Sequence, residues 1–277
     1  MKKILIPCDF SDQAIEAFRL ALDLVALVKG EIHLVNVIEL PVMHDTVLMP
    51  TLSFEETLMK ELKAGAESQF AKIKSQYGGT IKVESVVLYG ATSISILDYI
   101  TEHNMDLVVM GSKGASGMKE LVIGSNAEKI VRRSAVPVLV VKKYMELSSI
   151  KDIVFPSTLQ HDHEDLVTKV KELQDLFKAT LHIVYINTPG NFTRDIITTK
   201  RLDDFAKRYM FTNYTTNVFN DSYEESGVIN FTHTIGADMI AMGTHGRKGL
   251  AHILSGSVTE DVVNHVDCPI WTFTFKE

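Results

Sequence analysis

Cysteine, tryptophan and long apolar runs are scarce in this chain of 277 residues. The two cysteines, Cys8 and Cys268, are far apart and show neither a CxxC pair nor metal-ligand spacing, which argues against a disulfide framework and favours a reducing compartment. No apolar run reaches the ~18 residues that a membrane helix needs. The opening MKKILIPCDF has an apolar part shorter than the ~7–15 residues of a secretion signal. We therefore expect a cytoplasmic protein without a membrane partner.

Basic side chains are also fewer than acidic ones: the chain has 28 Lys and Arg residues against 35 Asp and Glu residues, which gives a net charge of -7. No basic run offsets this excess, so we expect no nucleic acid partner. The chain contains neither a Walker GxxxxGK[ST] loop nor the dinucleotide GxGxxG fingerprint. It also shows no motif that pairs a nucleophile with a base or a metal ligand, and we predict no catalytic residue.

The chain repeats itself. KKILIPCDFS and IKDIVFPSTLQ are both short apolar runs that reach a proline, as expected of buried strands leaving a sheet. In the first half a helical period follows, with Ser11 as its expected N-cap and Gly30 as its expected stop. Each half reads β-α-β-α-β-α-β-α-β. Strands that are apolar on both faces and alternate with helices predict a doubly wound α/β domain.

We therefore predict a first repeat over residues 1–143 and a second repeat over residues 150–277, joined by YMELSS at Tyr144–Ser149. The first repeat has the longer middle, mainly in LPVMHDTVLMPTLSF at residues 40–54. This segment is compatible with a lid or a partner-docking arm, and a packed Ω-type loop is the simpler interpretation.

Two glycine loops have the same spacing: GSKGASGMKELVIGS over Gly111–Ser125 and GTHGRKGLAHILSGS over Gly243–Ser257. One full match in a chain of this length has odds of about one in a hundred, so two matches are not accidental. Each loop follows a strand whose carboxyl end is expected to face a ligand crevice. Each also precedes an S-x-x-E pattern that predicts a capping box, with Ser125 and Ser257 as caps. Free backbone amides and the positive end of the helix dipole there favour phosphate binding. Any one of these residues alone would also be common at a strand end or a helix start without a ligand.

These residues resemble the universal stress protein family in its tandem form, over nearly the whole chain: ILIPCDFS, VNVIE and the G-x2-G-x9-G-[ST] loop. The resemblance implies five-stranded parallel sheets of order 3-2-1-4-5. It also implies a bound ATP or AMP, with or without Mg²⁺. It assigns adenine to Asp9 and to the backbone of Val37, with Pro7 beside them. Ribose and phosphates are assigned to Gly90, Gly111, Gly114, Gly124, Ser125 and Asn126. It also implies that the last strands of the two repeats pair as an intramolecular pseudo-dimer, with a homodimer as a further level of assembly.

The second repeat departs from this pattern. Thr158 stands in place of Asp9, Ile186 in place of Val37, and Ser222 falls opposite Gly90. Its glycine loop is intact, with candidate anion-binding residues Gly243, Gly246, Gly256, Ser257 and Val258, and with nearby positive charge from His245, Arg247 and Lys248. We predict a complete nucleotide site in the first repeat and a weaker or altered site in the second.

Weaker signals and the choice of function remain open. HDHED at His161–Asp165 allows a metal interpretation, but acids that favour the start of a helix explain it better. Cys8 is a candidate redox-sensitive thiol, and a small buried filler is the simpler interpretation. The main functional hypothesis is a nucleotide-dependent binding module in stress response. The alternatives are a slow ATP hydrolase or phosphotransferase at the same site and a nucleotide-independent scaffold.

Overall fold

The computed structural model describes residues 2–39, 51–112, 123–159, 164–245 and 256–275. The first repeat contains β1 (Lys3–Pro7), α1 (Asp12–Val28), β2 (Glu31–Ile38), α2 (Thr51–Tyr77), β3 (Val83–Tyr89), α3 (Thr92–Glu102), β4 (Leu107–Gly111), α4 (Ser125–Arg133) and β5 (Val138–Val141). The second contains β6 (Asp152–Pro156), α5 (Glu164–Phe177), β7 (Thr180–Asn187), α6 (Asp195–Arg208), β8 (Tyr214–Asn220), α7 (Glu224–Ile235), β9 (Met239–His245), α8 (Gly256–His265) and β10 (Ile270–Phe275). The described residues thus follow the alternation that the sequence predicts.

The described strands form one ten-stranded sheet in the order β3-β2-β1-β4-β5-β10-β9-β6-β7-β8. Within each repeat all neighbouring strands are parallel. At the centre β5 and β10 are antiparallel, with Val140 opposite Ile270. The parallel order 3-2-1-4-5 is therefore confirmed in the first repeat and recurs in the second. The pairing also covers two strand edges that would otherwise be exposed.

Helices cover both faces of the sheet. Helices α1, α2, α5 and α6 contribute to one buried apolar core, and α3, α4, α7 and α8 contribute to the other. Strand β1 serves both cores, because Ile4 and Ile6 point to the first and Leu5 to the second. Burial on both faces explains why the strands are continuous apolar runs rather than alternating ones.

Helix α1 begins as expected and ends differently. Ser11 is its N-cap, and the Ser11 Oγ accepts a hydrogen bond from the Ala14 N–H at 3.3 Å. The left-handed C-cap is Lys29, with φ 55°, so the prediction of Gly30 as the helix stop is wrong. Gly30 is needed for close packing instead, because a Cβ there would lie 2.2 Å from the carbonyl oxygen of Lys2.

The long middle of the first repeat is only partly described. Residues 40–50 lie outside the described residues, and α2 begins at Thr51, so the end of the 40–54 segment is helical rather than loop. Whether the remainder acts as a lid, an arm or an Ω-type loop stays a prediction. Across the described part of the chain, no helix combines the length and apolar character that crossing a membrane requires.

Candidate functional site

A crevice opens in the first repeat where β1 leaves the sheet. The last β1–β2 pair joins Pro7 and Val35, and the Cys8 N–H donates to the Val35 carbonyl at 2.8 Å. Strand β2 continues beyond this pair, through Val37 to Ile38. Ile38 turns its carbonyl toward β3, where it accepts from Gly90. Because backbone groups alternate sides along a strand, the N–H and C=O of Val37 face the crevice.

Asp9 lies at the mouth of this crevice and starts the turn into α1. Its Oδ1 accepts hydrogen bonds from the Ser11 N–H at 3.1 Å and from the Ser11 hydroxyl at 2.6 Å. Between them Phe10 has φ 65°, a left-handed conformation that costs about 1–2 kcal/mol for a bulky residue. The Phe10 ring packs edge-on against Phe70, with ring centroids 5.2 Å apart. Packing and hydrogen bonds therefore hold Asp9 at the edge of the crevice while leaving it exposed.

The described ends of the first glycine loop are tied to each other and to α1. Gly111 ends β4, and a Cβ on it would lie 2.8 Å from the Cβ of Gln13, so glycine permits the close approach of α1. The Ser112 hydroxyl donates to Gln13 Oε1 at 3.0 Å. The Gly124 N–H donates to the Ser112 carbonyl at 2.8 Å, which joins the two ends of the loop. Gly114 lies outside the described residues.

The start of α4 corrects the predicted capping box. Gly124 is the N-cap, and Ser125 is the first helical residue. Glu128 pairs instead with Arg132, at 2.8 Å. The Glu128 N–H makes the first helical hydrogen bond, to Gly124, so the amides of Ser125, Asn126 and Ala127 have no intrahelical acceptor. These amides and the positive helix end favour an anion.

One cavity of about 250 Å³ brings these elements together. Sequence-predicted residues on its wall are Pro7, Asp9, Val37, Gly111, Gly124, Ser125 and Asn126. Gly90 is not on this wall; it lies at the end of β3 with φ 130°, a conformation that glycine tolerates. The cavity is slightly smaller than the ~300–1,000 Å³ typical of small-molecule sites. Its crevice, carboxylate and helix start would suit a ligand with a planar polar end and an anionic end.

Sequence reasoning missed several wall residues, including Asn36 and Thr92. Asn36 Nδ2 donates to the Cys8 carbonyl at 2.8 Å, which fixes the backbone just before Asp9. Glu39 Oε1 accepts from the Thr92 N–H at 2.8 Å, and this contact at the start of α3 lowers the pKa of Glu39. Asn36 and Glu39 both belong to the VNVIE stretch, in which the resemblance assigns a role to Val37 alone.

Cys8 also lines the cavity, and only 4% of its surface is exposed. Burial raises the pKa of its thiol to about 12, an effect larger than the lowering by the backbone hydrogen bond at Phe10. The thiol is therefore protonated at neutral pH, which makes it a poor nucleophile and metal ligand. This favours the interpretation of Cys8 as a buried filler over that of a redox sensor.

The corresponding edge of the second repeat is tightly packed between β7 and α7. Ile186, which stands in place of Val37, packs on Gly227 of α7 so closely that a Cβ at Gly227 would lie 2.3 Å from Ile186 Cγ2. The Asp221 N–H donates to Asn187, as the Gly90 N–H does to Ile38, so Asp221 and not Ser222 lies opposite Gly90.

Further polar contacts occupy this edge. Asn191 Nδ2 donates to Glu224 Oε1 at 2.8 Å, and Asp221 accepts from Ser226 and Asn230. Burial raises the pKa of Glu224 to about 7. The second repeat thus has Asp221 in place of Gly90 and Ile186 in place of Val37, with the Glu224 carboxyl group nearby.

The second glycine loop is described only in part. Gly243 and His245 belong to the end of β9, while Gly246, Arg247 and Lys248 lie outside the described residues. Helix α8 begins at Gly256, so its backbone places Ser257 and Val258 within the helix, and Ser257 is not its N-cap. His161 and His163 of the HDHED stretch also lie outside the described residues, and Glu164 and Asp165 form the first turn of α5.

A parallel doubly wound sheet with a crevice beyond its carboxyl ends defines a class of α/β proteins that bind ligands at this edge. The model of the universal stress protein family matches residues 1–142 and 216–273 of the chain. These matched segments cover more than half of the sequence, so the chain belongs to the universal stress protein family.

Individual relatives agree with this assignment. The universal stress protein MJ0531 of Methanocaldococcus jannaschii is 30% identical over 145 residues, which are 51% of this chain and 82% of that protein. Slr1230 of Synechocystis is 24% identical over 292 residues and covers 99% of this chain and 100% of its own. A crystal structure of a universal stress protein from Archaeoglobus fulgidus has a TM-score of 0.74 at 21% identity and covers 98% of both chains. That likeness shows the fold.

Proposed function

We propose that the first repeat binds an adenine nucleotide, ATP or AMP, and that the chain acts as a nucleotide-dependent regulatory or binding module in stress response. The observation that carries this proposal is the single cavity that joins the crevice at Asp9 and Val37 to the start of α4. Family membership supports it, because the cavity lies where the resemblance assigns the nucleotide.

Adenine chemistry matches the crevice. Its exocyclic amine is a donor that suits the Asp9 carboxylate or the Val37 carbonyl, and its ring nitrogens are acceptors that suit the Val37 N–H. Pro7 contributes an apolar contact and has no N–H of its own to satisfy. Guanine carries a carbonyl where adenine has its amine, so a carboxylate and a carbonyl at this position select against it.

The phosphates belong at the start of α4. Ser125 and Asn126 line the cavity, and their amides have no intrahelical acceptor. The helix dipole adds to the attraction of these amides for an anion. Mg²⁺ would arrive with the triphosphate, since Mg²⁺ in nucleotide sites is held largely by phosphates and water. Among the described residues, no group of three or more His, Cys, Asp or Glu side chains is arranged to hold a metal.

The second repeat is proposed to retain at most a weakened site. Ile186 packs tightly against Gly227 on the side where the first repeat has Val37, and Asp221 adds a negative charge where the first repeat has Gly90. We therefore expect about one tightly bound nucleotide per chain. Two equivalent sites in a titration would contradict this asymmetry.

We further propose that the repeats, at residues 1–143 and 150–277, form an intramolecular pseudo-dimer through β5 and β10. The antiparallel pairing of these strands supports it. Because β5 and β10 pair with each other inside the chain, a homodimer would need a surface other than these two strands. The outer strands of the sheet are β3 and β8. Two unpaired cysteines are compatible with action in the reducing cytoplasm.

The test is to identify by mass spectrometry what the purified chain carries and to titrate the emptied protein with ATP, AMP and GTP by calorimetry. We expect adenine nucleotides to bind and GTP to bind at least ~10-fold more weakly. The Gly124→Val variant places a branched side chain at the N-cap and should weaken binding. ATP turnover that this variant abolishes would favour the hydrolase instead, and absence of nucleotide binding at millimolar concentration would favour the scaffold.

A further inference from the structure

The pairing of β5 with β10 brings a helix of the second repeat against the first glycine loop. Because these strands are antiparallel neighbours, α4 and α8 lie on the same face of the sheet and share one apolar core. The last turn of α8 reaches the end of the first loop, at Ile123. The nucleotide site of the first repeat therefore has a neighbour from outside that repeat.

Asn264 makes this contact. Its Oδ1 accepts a hydrogen bond from the Ile123 N–H at 2.6 Å. Its own carbonyl is one of the last four of α8, which lack helical donors, and it accepts from Lys142 Nζ at 3.0 Å. Asn264 is thus held from the end of β5 while its side chain holds the loop.

The contact fixes the peptides that lead into α4. Ile123 is 5% exposed, and the next amide, that of Gly124, donates to Ser112 within the first repeat. Two successive N–H groups are therefore bound to two separate acceptors, one from each repeat. The direction of this peptide sets the direction of the amides that follow it, at Ser125 and Asn126 on the cavity wall.

We infer that Asn264 of the second repeat is a positioning residue for the phosphate side of the first repeat's nucleotide site. This inference rests on the proposed function, and it adds that the site is built jointly by the two repeats. The geometry points to phosphate and not to adenine, because Ile123 directly precedes Gly124, the N-cap of α4, whereas the Asp9 turn precedes α1.

The test compares ATP with adenosine, which lacks phosphates. Asn264→Ala removes the acceptor, and we expect ATP affinity to fall about 2- to 10-fold while adenosine affinity changes less than about 2-fold. Hydrogen exchange of the Ile123 amide provides a second readout that needs no ligand. Exchange should be faster in Asn264→Ala and should remain slow in Asn264→Asp, which keeps an oxygen acceptor.

The control is Thr272→Val, which removes another hydrogen bond between the repeats, from Thr272 Oγ1 to the Val138 carbonyl at 3.3 Å. This bond lies at the start of β5, whereas Lys142 and the Asn264 contact lie beyond its other end, so ATP affinity should match wild type. Equal ATP affinity in wild type and Asn264→Ala, or an equal loss of ATP and adenosine affinity, would overturn the inference alone. A wild-type protein that binds neither ligand would overturn the proposed function itself.

Discussion

Ile186 rests directly on Gly227, and a Cβ at position 227 would lie 2.3 Å from Ile186 Cγ2 and 3.2 Å from the Cβ of Asp221. The second repeat uses this glycine to bring α7 against the end of β7. In the first repeat Val37, the counterpart of Ile186, lies on the wall of the cavity.

We predict that Gly227→Ala destabilises the protein by about 1–3 kcal/mol, because the added methyl overpacks against Ile186. Urea unfolding measures this loss. The matched control is Gly65→Ala in α2, where a Cβ would meet nothing within 4 Å and should stabilise by about 0.5–1 kcal/mol. When Gly227→Ala is combined with Ile186→Ala, the loss of stability should be smaller than the sum of the losses in the two single variants. A neutral Gly227→Ala would mean that the edge is loosely packed.

Asp9 accepts two hydrogen bonds from Ser11, and this geometry alone is compatible with a carboxylate that merely stabilises the turn. We predict that Asp9→Ala weakens ATP binding about 10-fold or more, as expected for loss of a charged hydrogen-bond partner. Ser11→Ala should cost about 1 kcal/mol of stability as a lost N-cap and should weaken ATP binding less than Asp9→Ala does, because the carboxylate remains.

Calorimetry and urea unfolding on the two variants separate these roles. If Asp9→Ala lowers stability as Ser11→Ala does and leaves ATP affinity intact, Asp9 is only the acid at the start of α1.

Local patterns in the sequence predicted much of the fold, since apolar periodicity and the glycine spacing report directly on strands, helices and loops. Helix ends were harder to predict from the sequence. The S-x-x-E pattern at Ser125 is also compatible with Gly124 as the N-cap and Ser125 as the first helical residue, which is what the structure shows. The sequence alone puts Ser222 opposite Gly90, whereas strand pairing places Asp221 there. Asn264 carries no local signal at all, because its partner, Ile123, lies in the other repeat and meets it only after β5 and β10 pair.

Cys8 and Cys268 should be unreactive in the folded protein. Burial raises the pKa of both thiols to about 12, so little thiolate is present at pH 8. We predict slow alkylation by iodoacetamide, with Cys268 modified before Cys8 because Cys8 is the more buried of the two. Mass spectrometry over time checks this, and unfolding in urea should make both react fully. Rapid modification of Cys8 at neutral pH would indicate a sensor thiol.

Glu224 should make stability depend on pH in a direction unusual for a carboxyl group. Burial raises its pKa from 4.5 to about 7, although Asn191 donates a hydrogen bond that acts in the opposite sense. Between these two values the unfolded chain loses the proton while the folded chain keeps it. Raising the pH through this window therefore reduces the free energy of unfolding.

We predict that Glu224→Gln removes this contribution, because an amide cannot ionise. The difference in unfolding free energy between Glu224→Gln and wild type should grow in favour of the variant from about pH 4.5 to pH 7 and then level off. Urea unfolding at several pH values measures it, with the exposed Glu102→Gln as a control that should follow wild type. A constant difference across this range would show that Glu224 has the same pKa in the folded and the unfolded chain, and its carboxylate would then add negative charge to the second repeat's edge at neutral pH.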